Sequence, residues 1–259
     1  MAKDIAMLNL TPEVRETIRL ARQKTIGNAW QLLQTAVGLL ENNQYAIACF
    51  LAMTAIEEVG KLFILQMAQG DVIHELSKLG FEADLPEELD AGKLDKFLRN
   101  HLDKAVQAAA TSLYINFGAD RRHSVDPQSN MTRTSGVILL ARSGRWMTIR
   151  NNCLYTDIDF DSKATVSPTE FISREHSYYF ICMGFEVLAE QAEAGLGSVL
   201  EGSSASTSTQ FWQDRIKELE SFMKRWSSTV NLDQLDFLAN PKPLREEADK
   251  REARSSRNK

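Results

Sequence analysis

The chain has 259 residues, 43% of them hydrophobic and 25% charged, with a formal net charge of −5. That length supports one substantial core with or without an appendage, and the composition is ordinary for a soluble globular protein. The acidic balance excludes a broadly cationic nucleic-acid coat but leaves room for a local basic groove.

Cys49, Cys153 and Cys182 are scattered, form no CxxC and match no metal-ligand spacing. Reduced thiols acting as small hydrophobes, in a cytoplasmic setting, are the expectation. The first residues, MAKDIAMLNLTPEVRE, lack the apolar region of a secretory signal.

Thr11-Pro12-Glu13 is a helix start, with Thr11 as N-cap and proline at the first helical position. Val14, Ile18, Ala21, Ala29, Leu32, Leu33, Ala36 and Leu40 then recur at the period of one amphipathic helix, predicted over 12–41. The short break Glu41-Asn42-Asn43 makes the next helix, 44–69, its antiparallel neighbour.

This second helix, centred on YAIACFLAMTAIEEVGKLFILQM, is apolar on every face and therefore reads as the middle of a bundle. Three charges interrupt its apolar run after about eleven residues, too soon for a membrane span of ~20. Those charges, Glu57, Glu58 and Lys61, are its anomaly. Buried carboxylates are normally paired, and the i,i+4 and i,i+3 spacings predict that Lys61 pairs with Glu57 or Glu58. Gly60 leaves a gap where a backbone or a ligand can approach.

A third helix is predicted from Lys93 to about Asn116, with a stripe of Leu94, Leu98, His101, Ala105, Ala108 and Ser112. His101 lies on that stripe and Lys104 one turn on. A satisfied core histidine and a snorkelling lysine are the plain alternatives to a functional pair.

Gly118–Gly136 reads as a long polar connection containing a small basic cluster, Arg121, Arg122 and His123. The run VILLA fits either a strand or a helix. Val137 to Ile149 is read as helix because Val137, Leu140, Ala141 and Met147 share a face. An irregular segment follows, with at most a short hairpin near Tyr155 to Phe160.

Ser167-Pro168-Thr169-Glu170 predicts a capping box and a helix over 168–195. GSSASTST, residues 202–209, is a linker by composition. Phe211, Trp212, Ile216, Leu219, Phe222, Met223 and Trp226 outline an appended helix over 210–226. Beyond Pro241 the chain is proline-flanked and then almost entirely charged, and disorder is expected there.

The fold class is thus all-α. The domains expected are a bundle over 1–200, a linker over 201–209, a C-terminal helical segment over 210–240 and a charged tail over 241–259. No GxSxG, HExxH, P-loop or GxGxxG is present. Neither His101 nor His176 has a glutamate three residues before it, as a di-iron bundle would need. No metal and no cofactor are expected.

The segment AMTAIEEVGK within a helical hairpin, His101-x-x-Lys104 on the next helix, and Leu154-Tyr155-x-Asp157 together resemble the AbiV family of bacterial abortive-infection proteins. The resemblance spans roughly 12–195. It implies a HEPN-like bundle, commonly a homodimer and often a metal-independent ribonuclease. It further implies that growth stops because RNA or the translation machinery is attacked, with a phage-encoded protein as a candidate trigger.

In the usual HEPN motif an arginine, a polar residue and a histidine cleave RNA, the histidine moving protons and the arginine stabilising the phosphorane. This chain departs from it. Arg150-Asn151-Asn152-Cys153-Leu154-Tyr155 is the nearest match, with tyrosine where histidine is expected. A phenol, with an ordinary pKa of ~10, is a poor base near neutrality.

The residues carried forward as candidate catalytic groups are Glu57, Glu58, Lys61, His101, Lys104, Arg150, Asn151 and Tyr155. Lys61, Lys104 and Arg150 would hold phosphate, His101 would serve as acid or base, and a glutamate would orient it. A structural ion-pair network fixing the register of the bundle is the competing reading of the same residues. A non-enzymatic protein that docks a partner through the aromatic helix or the polar loop is the other class of function, and an exposed aromatic stripe would favour it. A small-molecule-binding bundle is the third.

Overall fold

The computed structural model describes residues 11–68, 98–118, 127–159, 164–191, 214, 217–218 and 220–257. Its elements are α1 (Pro12–Glu41), α2 (Tyr45–Ala68), α3 (His101–Gly118), α4 (Pro127–Ser143), α5 (Arg145–Asn152), β1 (Asp157–Asp159), β2 (Ala164–Val166), α6 (Pro168–Phe171) and α7 (Arg174–Gln191). A helical segment over 220–226, α8, precedes a 3₁₀ turn, and α9 (Asp236–Ala239) and α10 (Lys242–Arg257) follow it. The fold is all-α, and among the described residues the strands form one antiparallel hairpin, in which Asp157 pairs with Val166 and Asp159 with Ala164.

The bundle forms around α2. That helix packs against α1, α3 and α7, which is why its apolar residues point in every direction. Ala48, Cys49, Ala52, Met53, Ala55, Ile56, Val59 and Leu62 are all fully buried. Thr11 caps α1, its hydroxyl accepting from the Val14 N–H at 3.4 Å. Asn43, in the left-handed region at φ 58°, makes the turn into α2. None of the described helices is long and apolar enough to cross a membrane.

Four expectations are corrected. Residues 127–136, expected as loop, are the first part of α4, with Pro127 at its first position. Their polarity misleads because Arg133 and Thr134 are buried. Arg133 forms a buried ion pair with Glu186 of α7, its Nε donating to Glu186 Oε2 at 3.2 Å. The helix expected over 168–195 is broken at Ile172, which is extended and buried. The Ser173 hydroxyl then restarts it by accepting from the His176 N–H at 3.4 Å. At its start the capping box is present, with the Glu170 carboxylate accepting from the Ser167 N–H at 2.7 Å.

The expected helix from Val137 to Ile149 is likewise two helices. They meet at Gly144, whose φ of 87° a side chain would strain. Finally, the charged tail expected to be disordered is helix α10, packed on α4. Leu244 and Ala248 make its buried stripe, and Glu247 and Glu252 pair with Arg145 and Arg142. Hydropathy hid this helix because its buried stripe is small and its contacts to α4 and α5 include two charge pairs.

The expected appended aromatic helix is described in part, and Phe211, Trp212, Ile216 and Leu219 lie outside the described residues. Phe222 is buried, its ring 5.6 Å from that of Tyr178 and 6.1 Å from that of Phe185. Phe222, Leu235, Phe237 and Leu244 belong to the same core as the bundle. The described part of the aromatic stripe is therefore core and not a free docking face. Leu94 and the cluster Arg121, Arg122 and His123 also lie outside the described residues.

Candidate functional site

Glu57 is the centre of the polar cluster. Its side chain is 2% exposed, yet it sits in the middle of the most apolar helix. Two other helices bring donors to its two oxygens. His101, at the start of α3, places Nδ1 2.6 Å from Oε2. Lys104, one turn further on, places Nζ 4.0 Å from the same oxygen. Trp146 of α5 donates its indole N–H to Oε1 at 3.0 Å. Arg150, four residues later and hence on the same face of α5, puts Nε 3.3 Å from Oε1.

Small residues make this convergence possible. A methyl group at Gly60 would overlap the Lys104 carbonyl, so glycine lets α2 and α3 touch backbone to backbone. The gap read from the sequence is therefore filled by a neighbouring helix. Lys61 reaches Glu58 at 3.9 Å, as its i,i+3 spacing predicts, and leaves Glu57 to the other elements.

The cluster is sealed at its carboxylate and at Lys104, and partly open at His101, Lys61 and Arg150. The His101 side chain is 39% exposed, and Lys61 and Arg150 are partly exposed. Arg150 lies over the Phe50 ring, 4.9 Å from its centroid, and makes no hydrogen bond to any described residue. Burial lowers the Lys104 pKa below the ordinary lysine value, and the carboxylates of Glu57 and Glu58 oppose that shift. Three cations face two carboxylates, leaving one positive charge in surplus beside a half-exposed imidazole.

Asn151 and Tyr155 do not join the cluster. Both are exposed past Arg150, with Tyr155 64% exposed. The tyrosine at the position where the motif has histidine is a surface residue, and the histidine of this cluster comes from α3. Trp146 was missed by sequence reasoning. Its signal was present: a tryptophan i,i+4 from Arg150 in the otherwise polar run RWMTIRNN.

Chemically, a carboxylate that accepts from Nδ1–H fixes the ring and its tautomer, and directs Nε2 away from itself as the atom that exchanges protons. Among the described residues no three His, Cys, Asp or Glu side chains gather as metal ligands would.

An all-α bundle built on this buried glutamate and the histidine of the following long helix has the architecture of a HEPN-like protein. The AbiV family profile, of HEPN type, matches residues 17–189, and the chain belongs to that family of abortive-infection proteins. No curated protein and no solved structure matches it.

Two outcomes test the geometry. Glu57→Gln leaves Lys104 and Arg150 without a counter-charge and should cost about 3–5 kcal/mol of folding stability. Trp146→Phe removes one hydrogen bond to a charged group and should cost about 1.5–3 kcal/mol. Urea unfolding of both variants checks the order, and a milder Glu57→Gln would show that the carboxylate is not the anchor.

Lys104 has the opposite sign to a stabilising charge. Its folded pKa is below the ordinary value, so between the two the unfolded chain holds a proton that the folded one has released. Stability should rise with pH across that window. Lys104→Met should remove this rising limb when unfolding free energy is measured from neutrality into the alkaline range.

Proposed function

We propose that the chain is an abortive-infection effector that acts on RNA, and through it on translation, at the Glu57 cluster. The observation that supports this reading best is the 2.6 Å contact from buried Glu57 to half-exposed His101, with the partly exposed guanidinium of Arg150 beside it. A carboxylate-anchored histidine next to surplus positive charge is suited to moving protons at a phosphodiester.

In the proposed step, His101 Nε2 takes the proton of an RNA 2′-hydroxyl. That oxygen attacks the adjacent phosphorus, the bond to the 5′-oxygen breaks, and the imidazolium returns its proton to the leaving oxygen. The products are a 2′,3′-cyclic phosphate and a 5′-hydroxyl. Lys61, Lys104 and Arg150 offset the charge that builds on the phosphorane. Glu57 orients the base, Glu58 holds Lys61, and Asn151 and Tyr155 contact the flanking strand.

The competing structural reading makes the same residues a register-fixing ion-pair network, and one variant separates the two. His101→Ala removes the exposed end of the cluster while Lys104, Trp146 and Arg150 still satisfy Glu57. Growth inhibition in the host should be lost, and the melting temperature should stay within a few degrees of wild type. A fully toxic His101→Ala protein would overturn the proposal, as would loss of toxicity only in proportion to loss of fold.

The proposal includes a homodimer. Ile47 of α2, Phe171 of α6, which packs on α2, and Leu154 just past the end of α5 are large apolar side chains left exposed. Light scattering at micromolar concentration should give twice the 29.2 kDa chain mass, and a monomer mass would remove the dimer from the proposal.

A further inference from the structure

The corner where α4 and α5 meet α10 carries a second basic site, separate from the Glu57 cluster. A cavity of about 410 Å³ opens there, lined by Ser143, Glu247, Lys250, Arg251 and Arg254. Residues 247, 250, 251 and 254 are spaced i, i+3, i+4 and i+7, so one flank of α10 supplies four of the five lining residues. Its buried stripe, Leu244 and Ala248, lies to one side of that flank and fixes the helix on α4.

The charges at this corner are unequally committed. Glu247, the one carboxylate lining the cavity, is held by Arg145, whose Nε and Nη2 donate to it at 3.0 and 2.8 Å. Arg145 in turn holds the Glu247 carboxyl below its ordinary range through that hydrogen bond. Glu252 is likewise held by Arg142, whose Nε donates at 2.7 Å. The exposed Asp249 falls on the opposite side of α10 from the cavity. Lys250, Arg251 and Arg254 are exposed and make no ion pair with a described residue. Three exposed cations without an ion-pair partner among the described residues therefore share one concavity, Lys250 acting at longer range on the already paired Glu247.

The main chain adds to this. Arg251 packs against Gly144, where any side chain would collide with its guanidinium. The N-cap of α5 beside it is Gly144, which has no side chain to cap the first turn of the helix. That turn faces the same corner through Ser143, whose hydroxyl lines the cavity and accepts from the Arg145 N–H at 3.4 Å.

Helix α5 ties the corner to the first site. Its first residue, Arg145, borders the cavity, and its sixth, Arg150, contacts Glu57. At 1.5 Å per residue these positions are about 7.5 Å apart along the helix axis. A single strand that passes Arg150 can therefore reach the corner within a few nucleotides.

We propose that Lys250, Arg251 and Arg254, with the corner at Gly144, form an anchor for the phosphodiester backbone of single-stranded RNA. Charge complementarity selects the occupant: three cations without an ion-pair partner and a hydroxyl, with no apolar residue type in the lining, suit a phosphate chain and not an apolar peptide. The strand reading rests on the function proposed for the Glu57 cluster. The residues themselves lie outside the matched segment, 17–189, so this anchor is a feature of this chain's own C-terminal helix.

The experiment is fluorescence anisotropy of the full chain with a labelled, mixed-sequence single-stranded oligoribonucleotide whose 2′-hydroxyls are methylated to prevent cleavage. The comparison is Lys250→Gln/Arg251→Gln/Arg254→Gln, which keeps helix-forming side chains and leaves Arg142, Arg145, Glu247 and Glu252 intact. Wild type should bind with a strong salt dependence. The triple variant should bind at least about tenfold more weakly and lose roughly two units of slope in log K against log salt, at ~0.7 per phosphate contact.

A triple variant with unchanged affinity and slope overturns the anchor while leaving the Glu57 reading standing. Equal competition by a mononucleotide and by RNA overturns the strand in favour of a small phosphate site. No binding by wild type overturns the anchor, and the toxicity of His101→Ala then judges the Glu57 reading separately. Circular-dichroism melting of the triple variant guards against loss of α10, and Arg254→Gln alone, at the exposed end of the set, should show the same trend in smaller measure.

Discussion

A single buried carboxylate orders the bundle. Glu57 sits in a helix that is otherwise apolar on all sides, and an unpaired charge there would be expelled or neutralised. It stays because two neighbouring helices each give it two partners: His101 and Lys104 from α3, Trp146 and Arg150 from α5. Satisfying it thus fixes the rotation of α3 and α5 about α2. The contact of Gly60 with the Lys104 backbone fixes their spacing. The requirement that preserves the register also leaves His101 half-exposed with its ring held.

A second buried pair does the equivalent work on the far side of the core. Arg133 and Glu186 tie α4 to α7, and the Tyr179 hydroxyl donates to the Arg133 carbonyl. Both partners of that pair are buried. The contrast separates a pair that holds the fold from a cluster that also faces solvent. Surplus positive charge and partial exposure occur together at Glu57 and not at Glu186.

The C-terminal helix shows how charge can replace hydrophobicity as the signal for packing. Its apolar contribution is small, Leu244 and Ala248. Two arginine–glutamate pairs across to α4 and α5 bring it into register, and exposed pairs of this kind are worth about 0–1 kcal/mol each. They orient the helix more than they stabilise it. Because they consume the glutamates nearest the corner, they leave the neighbouring basic side chains unopposed.

Period and burial pattern were legible from residues alone. The α1–α2 hairpin, the centrality of α2, the cap at Thr11, the capping box at Ser167 and the anomaly at Glu57, Glu58 and Lys61 all follow from local spacing and from the cost of placing charge in an apolar helix. His101, Lys104 and Arg150 were also legible as candidates, being polar residues on buried stripes or in a motif-like run. What only the tertiary structure decided is which of them meet. Spacing within one helix favours the pairs Glu57–Lys61 and Glu58–Lys61 about equally, but contacts across helices settle it, assigning Lys61 to Glu58 and four partners from elsewhere to Glu57. Trp146, the helical start of α4 and the order of α10 were hidden for the same reason. In each case a polar side chain is buried or ordered by a partner far away in sequence, and no local pattern records the partner.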